Sequence, residues 1–311
     1  MSFSADTKQE LCRTVLKYDE IIHSEAYGLL LFSKHFGENE ISFRTECNAV
    51  VNRFSEIITE KTGSMVEVQS TLTARKNDGR LYKVMLPNEI DCCRVCAYFG
   101  HDNGEVSLRI NRANIENEQC AAAFLRGAFL TCGSIASPET EYHLEFVVQH
   151  KNLAEDLCKL ITETTAFVSE KIIAPRVIKR RGVYIVYLKD SDDISDLLTL
   201  MGATAASMSV MEAKIVKSYN NAANRKINLE VANTDKSFTA AVKQIKAIQV
   251  LEESGKLQTL SEELREVARL RVEYPQASLK DLGAMLTVPL SKSGLNHRLS
   301  KLVELAADSP R

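Results

Sequence analysis

Two stretches carry the reading: Ala26-Tyr27-Gly28-Leu29-Leu30-Leu31-Phe32-Ser33 and Leu125-Arg126-Gly127-Ala128-Phe129-Leu130-Thr131-Cys132-Gly133. Each sets a glycine among small and large apolar residues of a helical stretch, and Gly28 and Gly127 lie 99 residues apart. Downstream, Phe54-x-x-Ile57-Ile58-Thr59-Glu60 matches Leu157-x-x-Leu160-Ile161-Thr162-Glu163 at an offset of 103, and the turn glycines Gly79 and Gly182 share that offset. An insertion of four residues reconciles the two values. Three matches in order point to a duplicated unit of roughly 100 residues.

Each copy reads alike. A glycine-bearing helix (about 24–35 and 117–132) precedes an alternating strand, Ile41-Ser42-Phe43-Arg44 or His143-Leu144-Glu145-Phe146-Val147-Val148. A helix follows (about 48–62 and 151–165), then a hairpin turning at Asn77-Asp78-Gly79 or Arg180-Arg181-Gly182, with return strands Arg80–Leu86 and Val183–Leu188 and a closing helix. The expected class is α+β, a pseudo-symmetric αββαββ duplication with antiparallel strands and the helices on one face. A further strand within Gly104–Ile110 is expected to connect the halves.

At 311 residues, with 45% hydrophobic and 26% charged residues, the chain is long enough for two domains, and a disordered or disulfide-stapled chain is excluded. No window has the apolar length of a membrane-spanning helix, and the first residues lack the order of a signal peptide, so a cytosolic protein is expected. The eight cysteines form no disulfide framework. Cys92-Cys93-x-x-Cys96 with His101 lacks the second ligand pair of a structural zinc site and reads better as small residues on a buried helix; no metal or cofactor is expected. From Lys214 onward there are 16 basic against 11 acidic residues, and before it 23 against 30, so a basic C-terminal third follows an acidic body. That is compatible with nucleic-acid contact through the tail.

The two glycine helices resemble the LAGLIDADG motif of homing endonucleases, which recurs twice in single-chain members. In that motif the glycine lets two helices pack backbone to backbone along the dyad, leaving the sheets as a DNA-facing saddle. Its eighth position normally carries a carboxylate for a divalent metal. Here those positions are Ser33 and Cys132, neither a good Mg²⁺ ligand. The scaffold looks kept and the hydrolytic chemistry lost. An active endonuclease would need displaced acids such as Glu38 or Glu139, which belong more naturally to turns.

Near the other end, Ala277-Ser278-Leu279-Lys280-Asp281-Leu282-Gly283-Ala284-Met285-Leu286 reads as a helix capped by Ser278, and Pro289 in the turn Thr287–Leu290 stops its continuation. A second helix opens at Ser291-Lys292-Ser293-Gly294. Leu295, Leu299, Leu302 and Val303 make its apolar stripe, with Asn296, His297, Arg298 and Lys301 largely off it. This is a helix-turn-helix pattern. Ser278, Ser291, Lys292, Ser293, Asn296, His297, Arg298 and Lys301 are its expected DNA-contacting set. Ser291 and Ser293 would lie near phosphates, Asn296 would read adenine, Arg298 would take guanine or a phosphate, and Lys292 and Lys301 would take phosphates.

Together the two ends resemble the WhiA family of bacterial sporulation regulators. Asn221-x-x-Asn224-Arg225-x-x-Asn228, Ala232-Asn233-x-x-Lys236, Glu266-x-Ala268-x-Leu270-Arg271 and Pro289-x-Ser291-Lys292-Ser293-Gly294 are similar to that family's signatures. The resemblance implies a cytoplasmic, nucleoid-associated transcription regulator acting in cell division, chromosome segregation and sporulation. It would bind double-stranded promoter DNA and cooperate with an RNA polymerase sigma factor, without membrane or small-molecule partner. Expected domains are 1–215 (LAGLIDADG-like, halves about 20–100 and 115–205), 216–255 (helical linker) and 256–311 (helix-turn-helix, motif about 275–308). The segment around 207–254 is dense in Asn221, Asn224, Arg225, Asn228 and Asn233, which reads either as a helix break docking the modules or as a polar contact surface. Arg176, Lys179, Arg180 and Arg181 form either a second DNA-contacting edge or a charged edge that blocks strand pairing. A protein-interaction scaffold whose N-terminal domain leaves DNA alone is the remaining alternative.

Overall fold

The computed structural model describes residues 2–72, 80–101, 107–166 and 172–307; the expected turn Asn77-Asp78-Gly79, the start of the expected Gly104 strand and residue 308 lie outside the described residues. The chain divides into two compact units, Met1–Lys217 and Ser218–Arg311.

The first unit opens with α1 (Phe3–Leu11), which sequence reasoning left unassigned. The glycine helix α2 (Asp19–Leu31) is followed by β1 (Ser42–Thr45), α3 (Asn48–Thr62), β2 (Glu67–Leu72), β3 (Arg80–Met85) and α4 (Glu89–Tyr98). The second half repeats the order: α5 (Glu118–Cys132), β4 (Gly133–Ile135), β5 (Leu144–Val148), α6 (Lys151–Ala166), β6 (Arg176–Arg180), β7 (Val183–Leu188) and α7 (Ser191–Met201). The starts of α3 and α6, and of β3 and β7, are separated by the 103 residues of the sequence repeat. Both sheets are antiparallel, ordered β1-β3-β2 and β4-β5-β7-β6. In the first half a single bridge, His35 to Ser42, stands where β4 pairs with β5 in the second.

Local chemistry sets the boundaries. Asn88 and Asn117 cap α4 and α5 by accepting the amides of Asp91 and Cys120, and Asp190 accepts two amides at the start of α7. The β6–β7 hairpin turns through Arg181 and Gly182, both at positive φ (51° and 88°), as a two-residue type I′ turn requires. The first glycine helix ends at Leu31, earlier than the expected 35, so Ser33 lies beyond its last turn. The described part of the expected connecting strand, Ser107–Ile110, is not a strand. At its end side chains take the backbone amides instead: Ile110 N donates to Asp156 (3.3 Å) and the following Asn111 N to the Tyr27 hydroxyl (2.7 Å).

α8 (Thr204–Glu253) is one helix of 50 residues. Of the two readings of the asparagine cluster, the helix break is absent, and residues 218–240 are exposed throughout. Asparagine costs a helix at most about 0.7 kcal/mol per residue, too little to interrupt one that continues on both sides. In the second unit Ile248 and Leu251 join α9 (Glu262–Glu273), α10 (Leu279–Met285) and α11 (Lys292–Ala307) around a separate core built on Leu264, Val267, Leu282, Leu295, Leu299 and Leu302. Among the described residues no helix is long and apolar enough to cross a membrane.

Candidate nucleic-acid interface

α11 buries Leu295, Leu299 and Leu302. That leaves Ser291, Lys292, Ser293, Asn296, His297 and Lys301 exposed around the opposite side, with Val303 only half-buried. Ser291 caps the helix, its hydroxyl accepting the Gly294 amide at 3.2 Å. Ser278 does the same for α10: its Oγ accepts the Asp281 amide (3.2 Å) and donates to the Asp281 carboxylate (2.7 Å). Both serines therefore perform capping work. Gly283 permits the tight turn: a Cβ there would lie 2.5 Å from the Leu290 carbonyl oxygen, and Leu290 N donates back to Gly283 O at 3.0 Å.

α9 frames this pair. Glu263 binds Arg298 of α11 at 2.8 Å, so the arginine is half-buried in an ion pair rather than projecting freely. Glu266 accepts both the amide (2.8 Å) and the hydroxyl (2.7 Å) of Thr287 in the turn, and those bonds hold its carboxyl below the ordinary glutamate pKa. Arg271 is buried and donates to the carbonyls of Ala277 (3.0 Å) and Pro275 (3.4 Å), bracing the loop before α10. Burial pulls its pKa below the ordinary arginine value.

In the first unit α2 and α5 meet at their glycines. A Cβ on Gly28 would lie 2.2 Å from Phe124 O, and one on Gly127 would lie 2.4 Å from Glu25 O. Beside the crossing, fully buried Glu25 accepts from Arg126 Nε (2.7 Å) and Arg53 Nε (2.8 Å), while Arg126 also donates to Met201 O (2.9 Å). At the motif ends, the Ser33 hydroxyl donates back into the last turn of α2 at Leu29 O (2.9 Å). Burial pushes the Cys132 thiol up to about 12 against the opposing charge of Lys8, so it is neutral at physiological pH. The Lys8 ammonium donates to Leu130 O at 3.1 Å, and burial pulls its pKa down. A hydroxyl turned inward, a neutral thiol and an ammonium do not fit a divalent cation. Glu38 and Glu139 lie outside the helices, as expected of turn residues. Cys92 and Cys96 are buried on α4, Cys93 is exposed, and His101 bonds the Tyr27 hydroxyl at 2.8 Å. Among the described residues no three His, Cys, Asp or Glu converge on a metal position.

The curated relatives include the probable cell division protein WhiA of Alkaliphilus metalliredigens, 36% identical with 98% of each chain covered. That of Clostridium novyi is 35% identical over 99% of this chain and 98% of the relative. The chain belongs to the WhiA family. The profile described as the WhiA LAGLIDADG-like domain matches residues 121–220, and that of the WhiA C-terminal HTH domain matches 223–306. Full-length DUF199/WhiA from Thermatoga maritima shares the fold, with a TM-score of 0.58, 21% identity and both chains covered completely.

Within this WhiA-family chain the remaining expected site residues separate. Arg176–Arg180 form β6, an exposed edge strand. Strand alternation puts Arg176 and Arg180 on the open face with Ile178, and Lys179 on the other, its ammonium over the Tyr184 ring at 5.7 Å. Arg181 lies in the turn. Asn221, Asn224, Arg225, Asn228 and Asn233 are exposed on α8. Sequence reasoning missed Lys8, Glu25, Arg53, Glu263 and the braces made by Glu266 and Arg271. Glu266 and Arg271 did stand out in a signature, but their partners are revealed only by the folded turn.

Proposed function

We propose that the chain is a sequence-specific double-stranded-DNA-binding transcription regulator that reads promoters with α11 and has no nuclease activity. The observation that carries this reading is the solvent-facing polar side of α11 (Lys292, Ser293, Asn296, His297 and Lys301) on a helix fixed by the α9 frame. On this reading Asn296 and His297 face base edges while Lys292, Ser293 and Lys301 take phosphates. Arg298 reaches DNA only by leaving Glu263. The relatives' name supports a role in cell division; chromosome segregation, sporulation and cooperation with a sigma factor extend that reading. Residues 1–215 act as scaffold and 256–311 as reader, the exposed part of 216–255 links them while its Ile248 and Leu251 join the reader's core, and Arg176 and Arg180 offer a second contact. The loss of carboxylates at Ser33 and Cys132 supports the absence of hydrolysis.

The test is a titration of operator duplexes taken from a genome-wide occupancy map. Asn296→Ala is expected to weaken the preferred site by about 1–3 kcal/mol and relax one base position. Lys292→Ala is expected to weaken all duplexes alike and reduce the salt slope by about one. Plasmid held with Mg²⁺ or Mn²⁺ stays uncut. Wild-type affinity in both variants would remove α11 from the interface, and cleaved plasmid would restore the endonuclease reading.

A further inference from the structure

An open pocket of about 210 Å³ sits at the ends of the two glycine helices, where Lys34, Arg44, Cys132 and Gln149 converge over Phe32 and Phe43. Its charge is one-sided. Lys34 and Arg44 are exposed and make no ion pair among the described residues, and none of the pocket's lining residues is acidic. The Cys132 thiol adds no negative charge, because burial keeps it protonated. The β1–β3 register worsens the imbalance by setting Arg44 directly opposite Lys83, a cross-strand pairing of like charges that is unfavourable unless an anion joins it. Among the described residues Lys83 pairs with one carboxylate, Glu40 at 3.7 Å, and that group also accepts the Ser42 hydroxyl at 2.6 Å.

We propose that this pocket is a phosphoryl-binding site, in which the Arg44 guanidinium and the Lys34 ammonium hold the anionic oxygens and the Gln149 amide donates a further hydrogen bond. A guanidinium fork and a point-charge ammonium on one small pocket match a phosphate's geometry and charge, and charge-assisted bonds of this kind are the strong ones. The phosphoryl group belongs either to a free phosphate ester or to the backbone of a nucleic acid lying across the open sheet faces. The proposal does not rest on how α11 reads DNA.

Calorimetric titration of the full chain with pyrophosphate at low salt tests it, using wild type, Lys34→Ala/Arg44→Ala and Lys292→Ala. Both pocket side chains are exposed, so the double variant is expected to keep the ligand-free thermal midpoint or raise it slightly. Pyrophosphate is expected to bind wild type and Lys292→Ala alike and the double variant at least tenfold more weakly. Displacement of the bound pyrophosphate by an operator-free duplex assigns the site to a nucleic-acid backbone; retention assigns it to a free ester. Absence of binding, equal binding by the double variant, or a loss in Lys292→Ala matching that of the double variant would overturn the proposal.

Discussion

Glu25 holds two guanidinium groups from within the first core, one on α3 and one on the partner glycine helix. Three charges out of water are tolerated because nearly every donor and acceptor is used: Arg126 spends its remaining reach on Met201 O and Arg53 on Cys12 O. Removing the carboxylate leaves two buried cations facing one another, so Glu25→Leu is expected to cost about 3–5 kcal/mol. A chemical denaturation midpoint reads this directly; a loss under 1 kcal/mol would mean water already reaches the cluster. Neither Glu25 nor Arg126 could be singled out beforehand. A charged residue in an apolar helix stretch gives no sign of which element will neutralise it, and Arg53 lies 28 residues from Glu25.

At the scale of elements, α9 positions α11 by contacts that have little to do with its own apolar stripe. Glu263, Glu266 and Arg271 fix α11, the turn and the preceding loop respectively. The turn itself depends on Gly283, whose missing side chain lets the Leu290 carbonyl approach. Gly283→Ala is expected to destabilise the second unit by about 1–3 kcal/mol and to lower operator affinity, with the backbone contact forcing α10 from α11. Circular dichroism melts and a duplex titration on the same variant check both effects. The helix-turn-helix was legible because Ser278 and Pro289 mark its boundaries by local chemistry. α1 was not: its Lys8 and Glu10 gain meaning only from Leu130 O and the amides of Ala205 and Ala206, reached across the fold.

For the whole molecule, duplication supplied one half of the first unit from the pattern of the other, and the second unit buries a core of its own. Two separate cores imply two cooperative transitions. Gly127→Ala, which would drive a methyl group to within 2.4 Å of Glu25 O, is expected to lower only the transition of residues 1–217, whereas Gly283→Ala lowers only the other. Differential scanning calorimetry of the two variants beside wild type provides the check; a single transition shifting in both would show one cooperative body. The exposed stretch 218–240 is the place where such independence arises, since no buried side chain there ties it to either core.

Periodicity, capping residues and the 103-residue repeat by themselves determined the duplicated α+β unit, the placing of its repeated helices and of the β6–β7 hairpin, and the C-terminal helix-turn-helix, because those signals act between residues near in sequence or repeated along it. What only the tertiary structure decided is where charge is compensated: Glu25 between its arginines, Arg298 held by Glu263, Lys34 and Arg44 left facing an open pocket. Those pairings depend on distances between elements far apart in the chain, and electrostatic energy follows distance and burial rather than sequence separation.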